Sequence, residues 1–168
     1  MGDVQPLERN QHAPGVVYRP PVTISERERE VLRELDQLVT GEGDAEPADP
    51  DDRLEGRVPG LDPRVMKQLR RGEFTVQADL DLHGRDAETA RRGVETFLVE
   101  AHTRGLRCVR IVHGRGLNSP GRVPVLKRSL PRWLTRGPAR TRVLGYCSAP
   151  AHDGGAGATY VLLRRQRG

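Results

Sequence analysis

Two short stretches hold the residues best suited to chemistry: Leu80-Asp81-Leu82-His83-Gly84 and Val112-His113-Gly114-Arg115-Gly116. Histidine titrates near neutrality, so an imidazole can take a proton from one oxygen and deliver one to another. Two such rings beside the carboxylate of Asp81 suit general acid–base work. Glycine turns let backbone N–H groups approach an oxyanion. Taken singly, each residue has an ordinary explanation: a strand-end Asp caps a turn, and a His before Gly hydrogen-bonds one. Spacing is what joins them. Thirty residues separate His83 from His113, the length of a strand–helix–strand crossover. Such a crossover makes the strands parallel and brings both His-Gly turns to the carboxyl edge of a sheet, where α/β folds bind ligands.

The elements that must position these residues are legible around them. Ala78 to Leu82 alternates as a strand, with Leu80 and Leu82 on one face and Asp79, Asp81 and His83 on the other. Asp86 caps a helix carrying Ala90, Val94, Phe97, Leu98 and Ala101 at helical spacing, and Gly105 closes it. Arg107 to Val112 is the next strand. The loop Gly114-Arg115-Gly116-Leu117-Asn118-Ser119 then leads to a helix start near residues 122–124. Its glycine amides, Asn118, the helix N-terminus and the fork of Arg115 make an expected phosphate cradle, with Gly84 in the facing turn. Lys127, one turn into the helix, either adds a point charge or is a solvated surface residue. That helix is marked by Val125, Leu126, Leu130, Trp133 and Leu134, and Pro131 is expected to kink or restart it. Arg142 to Cys147 and Thr159 to Leu163 read as two further strands. In the loop between them, Gly155 and Gly157 either contact substrate or serve a long hairpin connection.

Upstream of this block the chain changes character. Residues 1–24 read as a flexible arm. Residues 25–40 form an amphipathic helix opened by the capping box Ser25-Glu26-Arg27-Glu28, whose stripe must dock on the main domain or on a partner. Residues 41–60 are an acidic, Gly/Pro-rich linker, and residues 61–78 a basic lead-in with Asp62-Pro63 starting a short helix that Gly72 ends. The overall charge of +5 hides a split: residues 61–168 alone carry +12. A domain that basic attracts polyanions. Cys108 and Cys147 make neither a disulfide framework nor a metal motif and read as small buried residues; His12, His102 and His152 read as surface residues. With no apolar run of about 18 residues and no signal-peptide pattern, the expectation is a cytoplasmic protein that uses no membrane.

LDLHG at 80–84, VHGRG at 112–116 and DGGAGATYVLL at 153–163 resemble, in order and separation, the signature stretches of the Smr (small MutS-related) family. The resemblance covers residues 79–168. The lead-in at 69–74 is similar to the segment before the domain in stand-alone bacterial members. Many relatives carry Lys where Arg115 stands. The resemblance implies an α/β two-layer sandwich with a four-stranded mixed sheet and two main helices in the order βαβαββ, similar to the C-terminal domain of translation initiation factor three. It also implies endonuclease activity, either on DNA or on RNA at stalled or collided ribosomes.

The working chemistry is RNA cleavage in which His83 or His113 takes the 2′-OH proton and the other protonates the departing 5′ oxygen. Asp81 orients the His83 ring or acts as the base, while Arg115 and the amides of Gly114 and Gly116 hold the phosphorane charge. No metal or other cofactor is required, although a single Mg²⁺ is compatible. The rival readings are a DNA nickase or structure-specific DNA nuclease, and a non-catalytic nucleic-acid or ribosome-binding module.

Overall fold

The computed structural model describes residues 15–19, 53–114 and 125–166. The expected amphipathic helix at 25–40, and Arg115, Gly116 and Asn118 of the expected cradle, lie outside the described residues. Among the described residues the elements are β1 (Val16–Tyr18), β2 (Glu55–Arg57), α1 (Pro63–Arg70), β3 (Ala78–Asp81), α2 (Ala87–Thr103), β4 (Cys108–Val112), α3 (Val125–Thr135), β5 (Val143–Ser148) and β6 (Ala158–Leu163).

The predicted βαβαββ order is present as β3-α2-β4-α3-β5-β6. The sheet, however, has six strands rather than four, in the order β1-β3-β4-β6-β5-β2. The additions are β1 and β2, from stretches read as flexible arm and acidic linker. Each is three residues long, too short to show alternation, and each pairs antiparallel with a strand that would otherwise be an open edge: β1 with β3, β2 with β5. Unpaired edge N–H and C=O groups accept any extended backbone, whatever its side-chain pattern.

Strands β3 and β4 pair in parallel, as the crossover requires, with Asp81 opposite Val112. Their crossover helix α2 begins where Asp86 Oδ1 accepts the Thr89 N–H at 2.8 Å and ends before Gly105, whose φ is +76°. Helices α2 and α3 cover one face of the sheet. There Leu80, Leu82, Phe97, Leu98, Ile111 and Leu130 are fully buried.

The other face is not bare. Helix α1, capped by Asp62 through the Arg64 N–H at 2.9 Å, packs Met66 and Leu69 against Cys108, Cys147, Tyr160 and Leu162. The basic lead-in is therefore part of the packed unit. Strand β6, apolar on both sides, is buried along its whole length. Both cysteines are free and buried; burial pushes the Cys147 thiol up to about 12 and Cys108 higher still.

Pro131 does not restart α3, which runs unbroken from Val125 to Thr135. A proline takes one amide out of the ladder, but the turn after it is held: Thr135 Oγ1 donates to the Pro131 carbonyl at 2.7 Å and the Arg136 N–H to Arg132 O at 3.1 Å. Among the described residues no helix is long and apolar enough to cross a membrane.

Candidate active site

Strand β3 delivers Asp81 and His83 to the carboxyl edge as a pair. Asp81 Oδ1 accepts the His83 backbone N–H at 3.0 Å and sits 2.6 Å from His83 Nδ1. A carboxylate can only accept here, so Nδ1 carries the proton and Nε2 is left for chemistry. The His83 side chain is 74% exposed and that of Asp81 45%. This is an oriented, accessible imidazole with a carboxylate behind it.

The strand under the pair is clamped. Gly15 O accepts the Asp81 N–H at 3.0 Å. At a φ of +88° a side chain on Gly15 would come within 2.9 Å of Asp81 O, so the close approach needs glycine. Two positions earlier, on the same face, Asp79 accepts from Arg19 Nε at 2.6 Å and Arg19 Nη2 at 2.9 Å, and from Arg110 Nε at 2.6 Å. Arg110 also donates to Asp153, whose carboxylate accepts from the Tyr160 hydroxyl. This network ties β1, β3, β4, β6 and the 151–157 turns together on the Asp81 side of the sheet. Sequence reasoning missed it. Its one local signal was Arg110, a charge inside the apolar run CVRIV, which needs a partner if the strand is buried.

His113 does not join His83. Asp81 lies opposite Val112 and so shares its face. His113, one residue on, turns to the helix-covered face, where its Nε2 is 2.9 Å from Thr159 Oγ1; Thr159 in turn lies opposite the core residue Ile111. The ring is 5% exposed. Its Nδ1 donates to Gly114 O at 2.8 Å, which makes Nε2 the acceptor of the threonine hydroxyl. Burial, assisted by the nearby positive Lys127, lowers its pKa to about 4. The ring is buried, with both nitrogens hydrogen-bonded and a lowered proton affinity. The topology brings both histidines to one end of the sheet, His83 exposed beside Asp81 and His113 buried against Thr159.

The glycine cradle changes in the same way. The Gly114 N–H, with that of His113, donates to Gly157 O at 3.0 Å. The amides of Gly155 and Gly157 donate to Pro150 O and Gly154 O. None of these three can hold an oxyanion without breaking a bond inside the turn. The second glycine loop instead folds into two short 3₁₀ turns and braces the end of β4. Gly84 is exposed in the turn after His83 with φ +74°. Lys127 is neither a surface residue nor an exposed point charge; it is 5% exposed in α3. Among the described residues no three of His, Cys, Asp and Glu converge on a point that could hold a metal ion.

The Smr domain family model matches residues 80–164, from β3 to just past β6. Over 166 residues the chain is 37% identical to the probable DNA endonuclease SmrA of Escherichia coli (strain K12), spanning 98% of this chain and 84% of that protein. It is 34% identical over 104 residues to the ribosome rescue factor SmrB of Haemophilus influenzae, a match spanning 62% of this chain and 57% of that longer protein. Among solved structures, the crystal structure of YdaL, a stand-alone small MutS-related protein from Escherichia coli, aligns with a TM-score of 0.57 at 38% identity, over 67% of this chain and 84% of that one.

Proposed function

Because the chain belongs to the Smr domain family, we propose that it is a nucleic-acid endonuclease, that the Asp81–His83 pair is its reacting group, and that RNA is its substrate. The observation that carries this reading is the exposed His83 ring with its Nδ1 held by Asp81 at 2.6 Å. His83 Nε2 takes the proton of a ribose 2′-OH. The 2′ oxygen attacks phosphorus, the P–O5′ bond breaks, and the products are a 2′,3′-cyclic phosphate and a 5′-OH protonated from solvent. Asp81 steadies the imidazolium that forms, in the manner of a carboxylate behind a catalytic histidine. His113 keeps the neighbouring turn in shape and takes no proton in this scheme. A cytoplasmic setting and the ribosome as partner go with the RNA reading, and the similarity to SmrB supports both.

The second reading is DNA nicking, with His83 drawing its proton from water instead. It is favoured by the relative that matches nearly the whole chain and is named a probable DNA endonuclease. One experiment separates the two. End-labelled RNA, the same strand with a single 2′-deoxy position, and DNA are incubated with the wild type and His83→Ala, with and without chelator. Cleavage of RNA alone, blocked locally by the deoxy position, lost in His83→Ala and leaving cyclic-phosphate ends, is the expected result. Cutting of DNA, or 5′-phosphate ends, would overturn the 2′-OH route.

A further inference from the structure

Between Glu100 and Asp153 the chain contains no acidic residue and eleven basic ones. Most of the excess charge of the basic half is thus packed into β4, α3, β5 and their connections. Several of these cations are engaged inside the domain. Arg104 pairs with Glu100, Arg107 donates to Leu163 O, Arg110 pairs with Asp79 and Asp153, and Arg142 donates to Pro138 O.

Those on α3 are different. Lys127, Leu130, Trp133 and Leu134 form its buried side, which leaves Arg128, Arg132 and Arg136 exposed, along with Arg140 in the following turn. Among the described residues none of these four has an ion pair or a hydrogen-bonded side chain. Their nearest acidic neighbours in the helix layer are already engaged. Glu88 and Glu95 pair with Arg91, Glu88 with Arg92 as well, and Glu100 with Arg104.

The spacing is regular. Positions four residues apart lie on one helix face at about 6 Å per step. Arg128 and Arg132 are one such step within α3, and Arg136 follows just past the helix end in extended backbone, its N–H still bonding Arg132 O at 3.1 Å. Unpaired guanidinium groups in a row repel one another. An arrangement of this kind gains free energy only when anions at similar spacing sit over it, and each planar fork suits a phosphate. The outward side of α3 carries no aromatic ring, so it offers no stacking platform and no means of reading bases.

The start of α3 lies near the end of β4, with Lys127 close to His113 on the helix-covered side of the sheet.

We propose that the outward face of α3 and the residue just past its end, through Arg128, Arg132 and Arg136, form a sequence-independent track for the phosphodiester backbone of one nucleic-acid strand. This rests on the nucleic-acid reading above but not on cleavage itself.

The test measures binding by fluorescence anisotropy, in a His83→Ala background that stops turnover. The probes are 5′-fluorescein-labelled 12-mers of uridylate and of thymidylate, at salt from about 50 to 200 mM. Three proteins are compared: the background alone; the background with Arg128→Gln, Arg132→Gln and Arg136→Gln; and the background with Arg64→Gln, Lys67→Gln and Arg71→Gln. The last set removes the same charge from exposed positions on α1 and at its C-cap. Three lost phosphate contacts should lower the slope of log K against log salt by about 2 and weaken low-salt binding at least about tenfold. The α1 set should move the slope by less than half as much, and both probes should respond alike. A wild-type slope in the α3 set, or equal losses in both sets, would overturn the track in favour of diffuse charge. A more than tenfold preference for one probe would overturn its indifference to sugar and base. If the α3 set behaves as expected while wild-type protein cuts neither RNA nor DNA, the track stands and the endonuclease reading falls.

Discussion

Acidification should destabilise this domain in part through His113, whose burial sets the sign of its contribution. In the unfolded chain a histidine takes its proton near 6.5. In the fold, burial above all, with Lys127 close by and the bond to Gly114 O working the other way, lowers that to about 4. The unfolded state therefore binds the proton first as pH falls. Stability is intact above about 6.5, drains away as pH drops towards 4, and stops changing below that, where both states are protonated. Each tenfold difference in proton affinity is worth about 1.4 kcal/mol, so the full loss is about 3 kcal/mol, most of it realised between pH 7 and 4.5. For a domain of this size that is roughly 1 M or more in urea midpoint. The assay is urea unfolding followed by Trp133 fluorescence at several pH values, for wild type and His113→Asn. The variant is less stable at pH 7 because it deprives Thr159 of its acceptor, but it should lack this component of the pH slope; all other titrating groups are shared. Parallel stability-versus-pH curves for the two proteins would refute the reasoning, and would mean that the ring is open to water and free to titrate.

Four further outcomes are expected. Asp81→Asn should cut turnover about 10²-fold with little change in nucleic-acid affinity, checked by single-turnover kinetics beside binding, because the amide keeps the turn but not the charge behind His83. Thr159→Val, which keeps the shape and removes the hydroxyl from a fully buried position, should cost about 1–3 kcal/mol in chemical denaturation by leaving His113 Nε2 unpaired. Arg110→Met should destabilise by about 2 kcal/mol, since it removes the guanidinium shared by Asp79 and Asp153 where they are only 14% and 20% exposed and leaves them to Arg19 and the Tyr160 hydroxyl. Phe97→Ala, at a fully buried site under the sheet, should cost about 3–5 kcal/mol and lower the melting temperature without changing the pH slope set by His113.

The local chemistry of the site was written in the sequence. Asp81 and His83 lie two residues apart at a strand end, so their hydrogen bond needs nothing from the rest of the chain. The caps at Asp62 and Asp86, the apolar stripe of α2 and the crossover from β3 to β4 depend on neighbours a few positions away, which periodicity and turn chemistry capture. What only the tertiary structure decided was register and enclosure. Whether His113 shares a face with His83 depends on how β4 aligns with β3, since a shift of one residue reverses every side chain. Pairing Asp81 with Val112 put His113 on the far side. His113 is buried beside Thr159 on β6 and near the charge of Lys127 on α3, neither near it in the chain. The Arg19–Asp79–Arg110–Asp153–Tyr160 network joins residues up to 141 positions apart. Two three-residue strands found their place only because an edge was there to receive them. Contacts within a turn or two are set by covalent spacing; those between strands and layers are set by packing the whole sheet at once, and that is where the second histidine acquired its buried setting.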